Sequence, residues 1–177
     1  MRPLLAALAA DPDTTNVRKL WKALTPEERA AGITSSFADD SDGWVKRSTR
    51  AAVASILRFR PQTVATWPKD KLVSEAARLQ VEEPSLISSF LVDLHLGHRR
   101  PMMGAFLDAL GIANDNGRID SENVEVPVQD PAKLAAAADG LLANHAEDEV
   151  VTYFLTLLLQ DSSVWGGLKD WLKARPV

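Results

Sequence analysis

Apolar residues recur at helical spacing along almost the whole chain, and this period constrains the fold more than any other feature. One segment carries them at positions i, i+3, i+4 and i+7, which is one face of a helix: Val17, Leu20, Trp21 and Leu24. Proline or glycine marks most breaks between such segments, as expected where short helices start and stop. The pattern predicts an all-α protein of about ten short helices.

Short connections between helices favour antiparallel neighbours, which leaves two architectures open. The helices can form an irregular orthogonal bundle or a stack of helical hairpins. The sequence has no fixed repeat period, so a regular solenoid is the less favoured arrangement. Because 177 residues fit one ordinary domain, we predict a single helical domain over residues 1–177.

Several segments of the sequence predict where helices start, and one segment predicts a buried helix. Thr25 and Asp130 each precede a proline, which combines an N-cap residue with a proline at the first helical position. Residues 150–159 are apolar nearly all round, which predicts a helix buried at the centre of the core. Residues 4–10 predict a docked N-terminal helix rather than a secretory signal. No apolar run approaches the roughly 20 residues that span a bilayer, so no membrane partner is predicted.

Residues 112–128 break the helical pattern. Asn116 followed by Gly117 is a strong signal for a tight hairpin turn. Alternating valines follow the turn as in a strand, but Pro127 would confine that strand to a sheet edge. We therefore expect a long loop with at most a small hairpin.

The sequence offers little support for metal or cofactor chemistry. It contains no cysteine, which excludes disulfides, zinc–thiolate sites and thiol nucleophiles and fits a reducing compartment such as the cytoplasm. Residues 112–123 resemble a calcium loop in their glycine, but Ile112 and Asn123 stand where carboxylates are needed. Phosphate-binding glycine loops, nucleophile elbows and histidine–glutamate zinc motifs are missing from the sequence. We predict no metal and no cofactor, and favour a non-enzyme while leaving catalysis open.

Four basic side chains cluster where one predicted helix ends and the next begins: His95, His98, Arg99 and Arg100. Such residues suit a helix C-terminus, where unpaired carbonyl groups create a negative end. The free N–H groups of the helix that opens at Pro101 could also hold an anion beside the two arginines. This corner gives the alternative function, an anion- or small-ligand-binding regulator that could be an enzyme.

A second basic cluster lies on one face of the helix predicted over residues 44–60: Lys46, Arg47, Arg50 and Arg58. Its apolar residues lie on the opposite face: Val45, Ala52, Val53, Ile56 and Phe59. Rows of this kind can bind phosphate backbones, but a solvated face paired with the acids of residues 39–42 is the favoured interpretation. The net charge of −4 and the pI of about 5.4 also argue against nucleic acid as a partner.

Five tryptophans accompany a single tyrosine: Trp21, Trp44, Trp67, Trp165 and Trp171. Most are expected in the core, but any tryptophan on the surface is a candidate binding anchor. Together with the lack of assembled chemistry, this predicts a helical protein-interaction module, a cytoplasmic scaffold or adaptor whose partner is another protein. The richness in alanine, leucine and arginine is typical of GC-rich bacterial genomes.

Overall fold

The structure, a computed structural model, describes residues 1–120 and 125–175. The described residues form twelve α-helices, one 3-10 turn at Pro12–Thr14 and no β-strand, which confirms the all-α prediction. Within these ranges no helix has the length and apolarity of a membrane span. The helices are α1 (Pro3–Ala10), α2 (Val17–Ala23), α3 (Pro26–Asp39), α4 (Trp44–Leu57), α5 (Pro61–Ala65), α6 (Lys69–Leu79), α7 (Pro84–His98), α8 (Arg100–Leu110), α9 (Pro131–Leu142), α10 (Glu147–Gln160), α11 (Ser162–Trp165) and α12 (Leu168–Lys173).

The chain divides into two compact units. Unit 1 combines Met1–Ala23 with Arg99–Val177 and so contains α1, α2 and α8 to α12. Unit 2 is the continuous segment Leu24–His98, which contains α3 to α7. The single domain predicted over residues 1–177 stays a prediction beside this division.

Helix α10 is the centre of unit 1. Residues 150–156 are all buried, which confirms the prediction of a helix covered on most sides. Helices α1, α2, α9, α11 and α12 all contact it. Phe106 lies 4.9 Å from the ring of Phe154, and Trp171 meets the same ring edge-on at 5.1 Å. Unit 1 therefore closes around packed aromatic rings.

Unit 2 is held together by a close crossing of α3 and α7. A Cβ added to Gly32 would lie 2.6 Å from the carbonyl oxygen of Phe90, so any larger residue would require α3 and α7 to shift. The interior also contains polar groups. Arg29 is buried and donates from Nε to the carbonyl oxygen of Ala77 at 2.8 Å. Sequence periodicity predicts apolar helix faces but not these buried polar contacts.

The two predicted N-caps are both confirmed. The Thr25 hydroxyl accepts from the Glu28 backbone N–H at 3.1 Å, and the Glu28 carboxylate accepts from the Thr25 backbone N–H at 2.9 Å. The Asp130 carboxylate accepts from the Lys133 N–H at 3.0 Å. Each cap satisfies backbone donors that the first helical turn leaves unpaired.

The tight turn predicted at Asn116 and Gly117 is present. Asp115 and Arg118 exchange two backbone hydrogen bonds of 2.8 and 3.0 Å across it. Both central residues have positive φ, 47° and 87°, as a two-residue hairpin turn of the mirror-image type requires. The described part of the following segment, residues 125–128, contains no strand, and Val124 of the predicted alternation lies outside the described residues.

Candidate functional site

The four residues of the His95–Arg100 corner lie in different environments. His95 is 1% exposed inside α7, whereas His98 is exposed at the end of that helix. Arg99 is buried, and Arg100 is half-buried as the first residue of α8. The division between the units falls between His98 and Arg99, so each unit contributes two of the four residues.

Arg99 has its own counter-ion within unit 1. Its Nε lies 3.6 Å from a carboxylate oxygen of Glu149, in the acidic first turn of α10. Asp148 in the same turn binds Arg2, with 2.6 Å between Nε and Oδ2. These acids lie where a helix N-terminus favours negative charge, and two of them also pair with arginines. Anion binding at the corner stays a prediction.

The basic face predicted on α4 is divided by burial. Lys46 and Arg50 are half-buried, while Arg47 and Arg58 are exposed. Asp40, one of the acids of residues 39–42, stabilises the start of this helix, because its carboxylate accepts hydrogen bonds from the Val45 and Lys46 backbone N–H groups. The part of the predicted face that is open to a partner therefore lies at Arg47 and Arg58.

The apolar side of α4 is not fully covered. The helix buries Thr49, Val53 and Ala54, but Ile56 is 44% exposed and Phe59, just beyond the helix, is 47% exposed. Five large apolar side chains are exposed among the described residues, and three of them belong to residues 44–59. Apolar residues at helical spacing predicted a packed face here, and the structure leaves its C-terminal end uncovered.

A strained turn places Phe59 at the surface. Helix α4 was predicted to continue to residue 60, but it ends at Leu57 because Arg58 adopts a left-handed conformation with φ of 55°. The Phe59 N–H then donates to the Ala54 carbonyl oxygen at 2.9 Å, closing the helix end. Glycine is usual at such a position because a side chain there is disfavoured by about 1–2 kcal/mol.

Phe59 forms a ring pair with Trp67, the residue that precedes Pro68 at the start of α6. The ring centroids are 6.1 Å apart and the ring planes meet at 83°. The Lys71 ammonium lies 4.2 Å from the centre of the Trp67 ring, within the range of a cation–π contact. Trp67 is half-buried, so the pair is anchored on one side and accessible on the other.

We call this region the aromatic–basic patch. Its apolar members are Ile56, Phe59 and Trp67, and its basic members are Arg58, Arg60, Lys69 and Lys71. All four basic residues are exposed, and three of them lie within two positions of Phe59 or Trp67 along the chain.

The charge pattern around the patch is a sequence signal that the prediction of a basic face overlooked. Seven basic residues and one acid lie between Trp44 and Lys71, in a chain whose net charge is −4. No acid occurs between Asp42 and Asp70. A count of charge along the sequence, rather than around one helix, would have indicated Arg60, Lys69 and Lys71.

The sequence did not indicate which of the five tryptophans lie at the surface. In the structure these are Trp44 and Trp67. Trp44 is 38% exposed at the start of α4, and Trp67 is half-buried. The remaining three tryptophans are buried: Trp21, Trp165 and Trp171.

Over residues 1–120 and 125–175, histidines and carboxylates do not come together in any group of three or more that could hold a metal ion. Among known proteins, no family model matches the chain, and no match was found to a curated protein or to a solved structure. Its function must therefore be inferred from its own residues and their geometry.

Proposed function

We propose that the protein is a helical interaction module, a scaffold or adaptor, that binds another protein through the aromatic–basic patch of unit 2. The observation that carries this proposal is the exposure of Ile56 and of Phe59, whose ring pairs with Trp67. Single apolar side chains on a surface need no explanation, but neighbouring ones within a charged rim are typical of binding sites. Covering these side chains would contribute roughly 25 cal/mol for each Å² of apolar surface removed from water, from which the entropic costs of association are subtracted.

The composition of the patch supports the same proposal. Aromatic residues and arginine are enriched in protein interfaces, and arginine and tryptophan are frequent among the residues that contribute most binding energy. The ring pair is also held in place before a partner arrives, because Phe59, Trp67 and Lys71 already contact one another. Less side-chain freedom is then lost on binding, which favours affinity.

We further propose that the module acts in the cytoplasm of a bacterium. The lack of cysteine fits a reducing compartment, and the composition is typical of GC-rich bacterial genomes.

The proposal can be tested by photo-crosslinking in the native cell. A photoreactive phenylalanine analogue is placed at position 59, and in a second strain at the exposed position Ser85 at the start of α7. We expect position 59 to form protein adducts that position 85 does not form. Equal adducts at both positions, or adducts at neither, would contradict binding through the patch.

A further inference from the structure

We infer that the partner presents an acidic, amphipathic segment to the aromatic–basic patch: a peptide that carries both carboxylates and large apolar side chains. This inference rests on the proposed function and specifies its partner. The two halves of the patch, its exposed apolar side chains and its basic rim, each require a matching half in the ligand.

The basic rim indicates the charge of the partner. Arg58, Arg60 and Lys69 are exposed and lie within two positions of Phe59 or Trp67 in the sequence, and Lys71 lies over the Trp67 ring. The chain as a whole is acidic, so this stretch is a local reversal of the protein's charge. Complementary charge at an interface rim speeds encounter and selects among partners.

The apolar members favour a peptide over nucleic acid. Single-stranded nucleic acid binds by stacking its bases on open aromatic faces. Trp67 is half-buried with Lys71 over its ring, and Phe59 meets it at nearly a right angle, so the pair does not form a flat stacking platform. Ile56 is aliphatic and suits an apolar side chain rather than a base.

The left-handed conformation of Arg58 is a second, independent observation. A glycine would relieve the backbone strain at this position, yet the sequence carries an exposed arginine there. Residues with strained backbone conformations persist where the surrounding structure holds them, and they are frequent at functional sites. A contact between this guanidinium and a partner carboxylate gives the arginine a role that glycine could not fill.

The inference is tested with three synthetic peptides of equal length. The first alternates acidic with large apolar residues, the second replaces the apolar residues by serine, and the third replaces the acids by lysine. We expect the first peptide to bind, measured by fluorescence anisotropy, and the other two to bind at least about tenfold more weakly because each lacks one half of the match. Raising the salt from about 50 to 500 mM should weaken binding of the first peptide, since exposed charges are screened.

Matched charge reversals locate the binding. Arg60→Glu/Lys69→Glu reverses two charges in the patch, and Lys22→Glu/Arg118→Glu reverses two exposed charges of unit 1 by the same amount. Circular dichroism and thermal melting check that both variants are folded. We expect about a tenfold or greater loss of peptide affinity for the first variant and less than about twofold for the second.

Each other outcome is decisive. Equal losses in the two variants would place peptide binding outside the patch and overturn the inference. Tighter binding of a single-stranded or duplex DNA oligonucleotide than of the first peptide, lost in the patch variant, would make the patch a nucleic-acid surface. If position 59 crosslinks a protein in cells but none of the three peptides binds, the proposed interaction module is supported and the inference of an acidic, amphipathic partner is wrong.

Discussion

Units 1 and 2 differ in how many of their aromatic residues they bury. Unit 1 buries Phe106, Phe154 and Trp171 against one another around α10. Unit 2 buries Phe37 and Phe90, and α3 and α7 meet at the Gly32 contact, but it leaves the Phe59–Trp67 pair at its surface. Aromatic side chains that are not buried in a core are available for a partner, which favours unit 2 as the binding unit.

The largest expected effect is the cost of removing an aromatic ring from the core of unit 1. Phe154→Ala should lower the free energy of unfolding by about 3–5 kcal/mol, because the ring is fully buried. Phe59→Ala in unit 2 should lower it by only about 0.5–1.5 kcal/mol, because the ring is 47% exposed and loses mainly its edge contact with Trp67. Chemical denaturation measures both. Similar losses of unfolding free energy for the two variants would contradict the difference in aromatic packing between the units.

A smaller effect tests how unit 2 closes. Gly32→Ala should cost about 1–3 kcal/mol, because the new Cβ would overlap the Phe90 carbonyl oxygen and force α3 and α7 apart. Gly140→Ala in α9 is the matched control, since a Cβ there meets no described atom within 4 Å. The control should raise stability by about 0.5–1 kcal/mol through helix propensity. A neutral Gly32→Ala would show that the crossing can relax.

Arg58→Gly separates stability from binding within unit 2. The substitution should raise the free energy of unfolding by up to about 1 kcal/mol, because glycine adopts the left-handed conformation without strain. The same variant should bind the acidic amphipathic peptide more weakly, since one cation of the patch is lost. Thermal melting and anisotropy measure the two effects. A loss of stability would mean that the Arg58 side chain contributes to folding instead.

The smallest expected effects are on the pH dependence of stability. The contributions of Asp93 in unit 2 and Asp13 in unit 1 should change with pH in opposite directions. Burial, with a further contribution from Asp39, raises the pKa of Asp93 in unit 2, although the Ser36 hydroxyl donates a hydrogen bond to it. The stability linked to Asp93 is therefore present below its ordinary pKa and is lost as pH rises through its folded value. Asp93→Asn should be more stable than the parent at neutral pH, and the difference should vanish in acid.

Asp13 in unit 1 should behave in the opposite way. Hydrogen bonds from Lys169 and Lys173 lower the pKa of its carboxyl. Its contribution is then present above the ordinary pKa and is lost as pH falls through the folded value. Asp13→Asn should be less stable than the parent at neutral pH, with no difference in strong acid. Melting temperatures across pH measure both variants, and equal signs would contradict the assigned environments.

Much of the fold could be predicted because its determinants are local. The cap at Thr25, the turn at Asn116 and the buried residues 150–156 each follow from a few neighbouring residues. The buried face of α3 was harder to predict from the sequence. Its buried line includes Arg29, Gly32 and Ser36, which an apolar period does not mark. These residues are buried because of contacts with α6 and α7, and such contacts are set by tertiary packing.

The candidate site was only partly predictable for the same reason. The sequence indicated Arg58 and an exposed tryptophan as candidates, and both belong to regions that the structure exposes. It could not indicate the Phe59–Trp67 contact, which depends on α4 ending at Leu57 through the left-handed Arg58. A non-glycine residue in that conformation has no clear local signal in a sequence.

The most direct test of the account is to map the bound peptide by NMR. Uniformly labelled protein is titrated with the acidic amphipathic peptide, and amide shifts are followed for both units. We predict that the largest changes fall on residues 55–71 of unit 2, around Phe59 and Trp67, while the core helix α10 of unit 1 is unchanged. Largest changes in unit 1, or at His95 to Arg100, would contradict binding through the aromatic–basic patch.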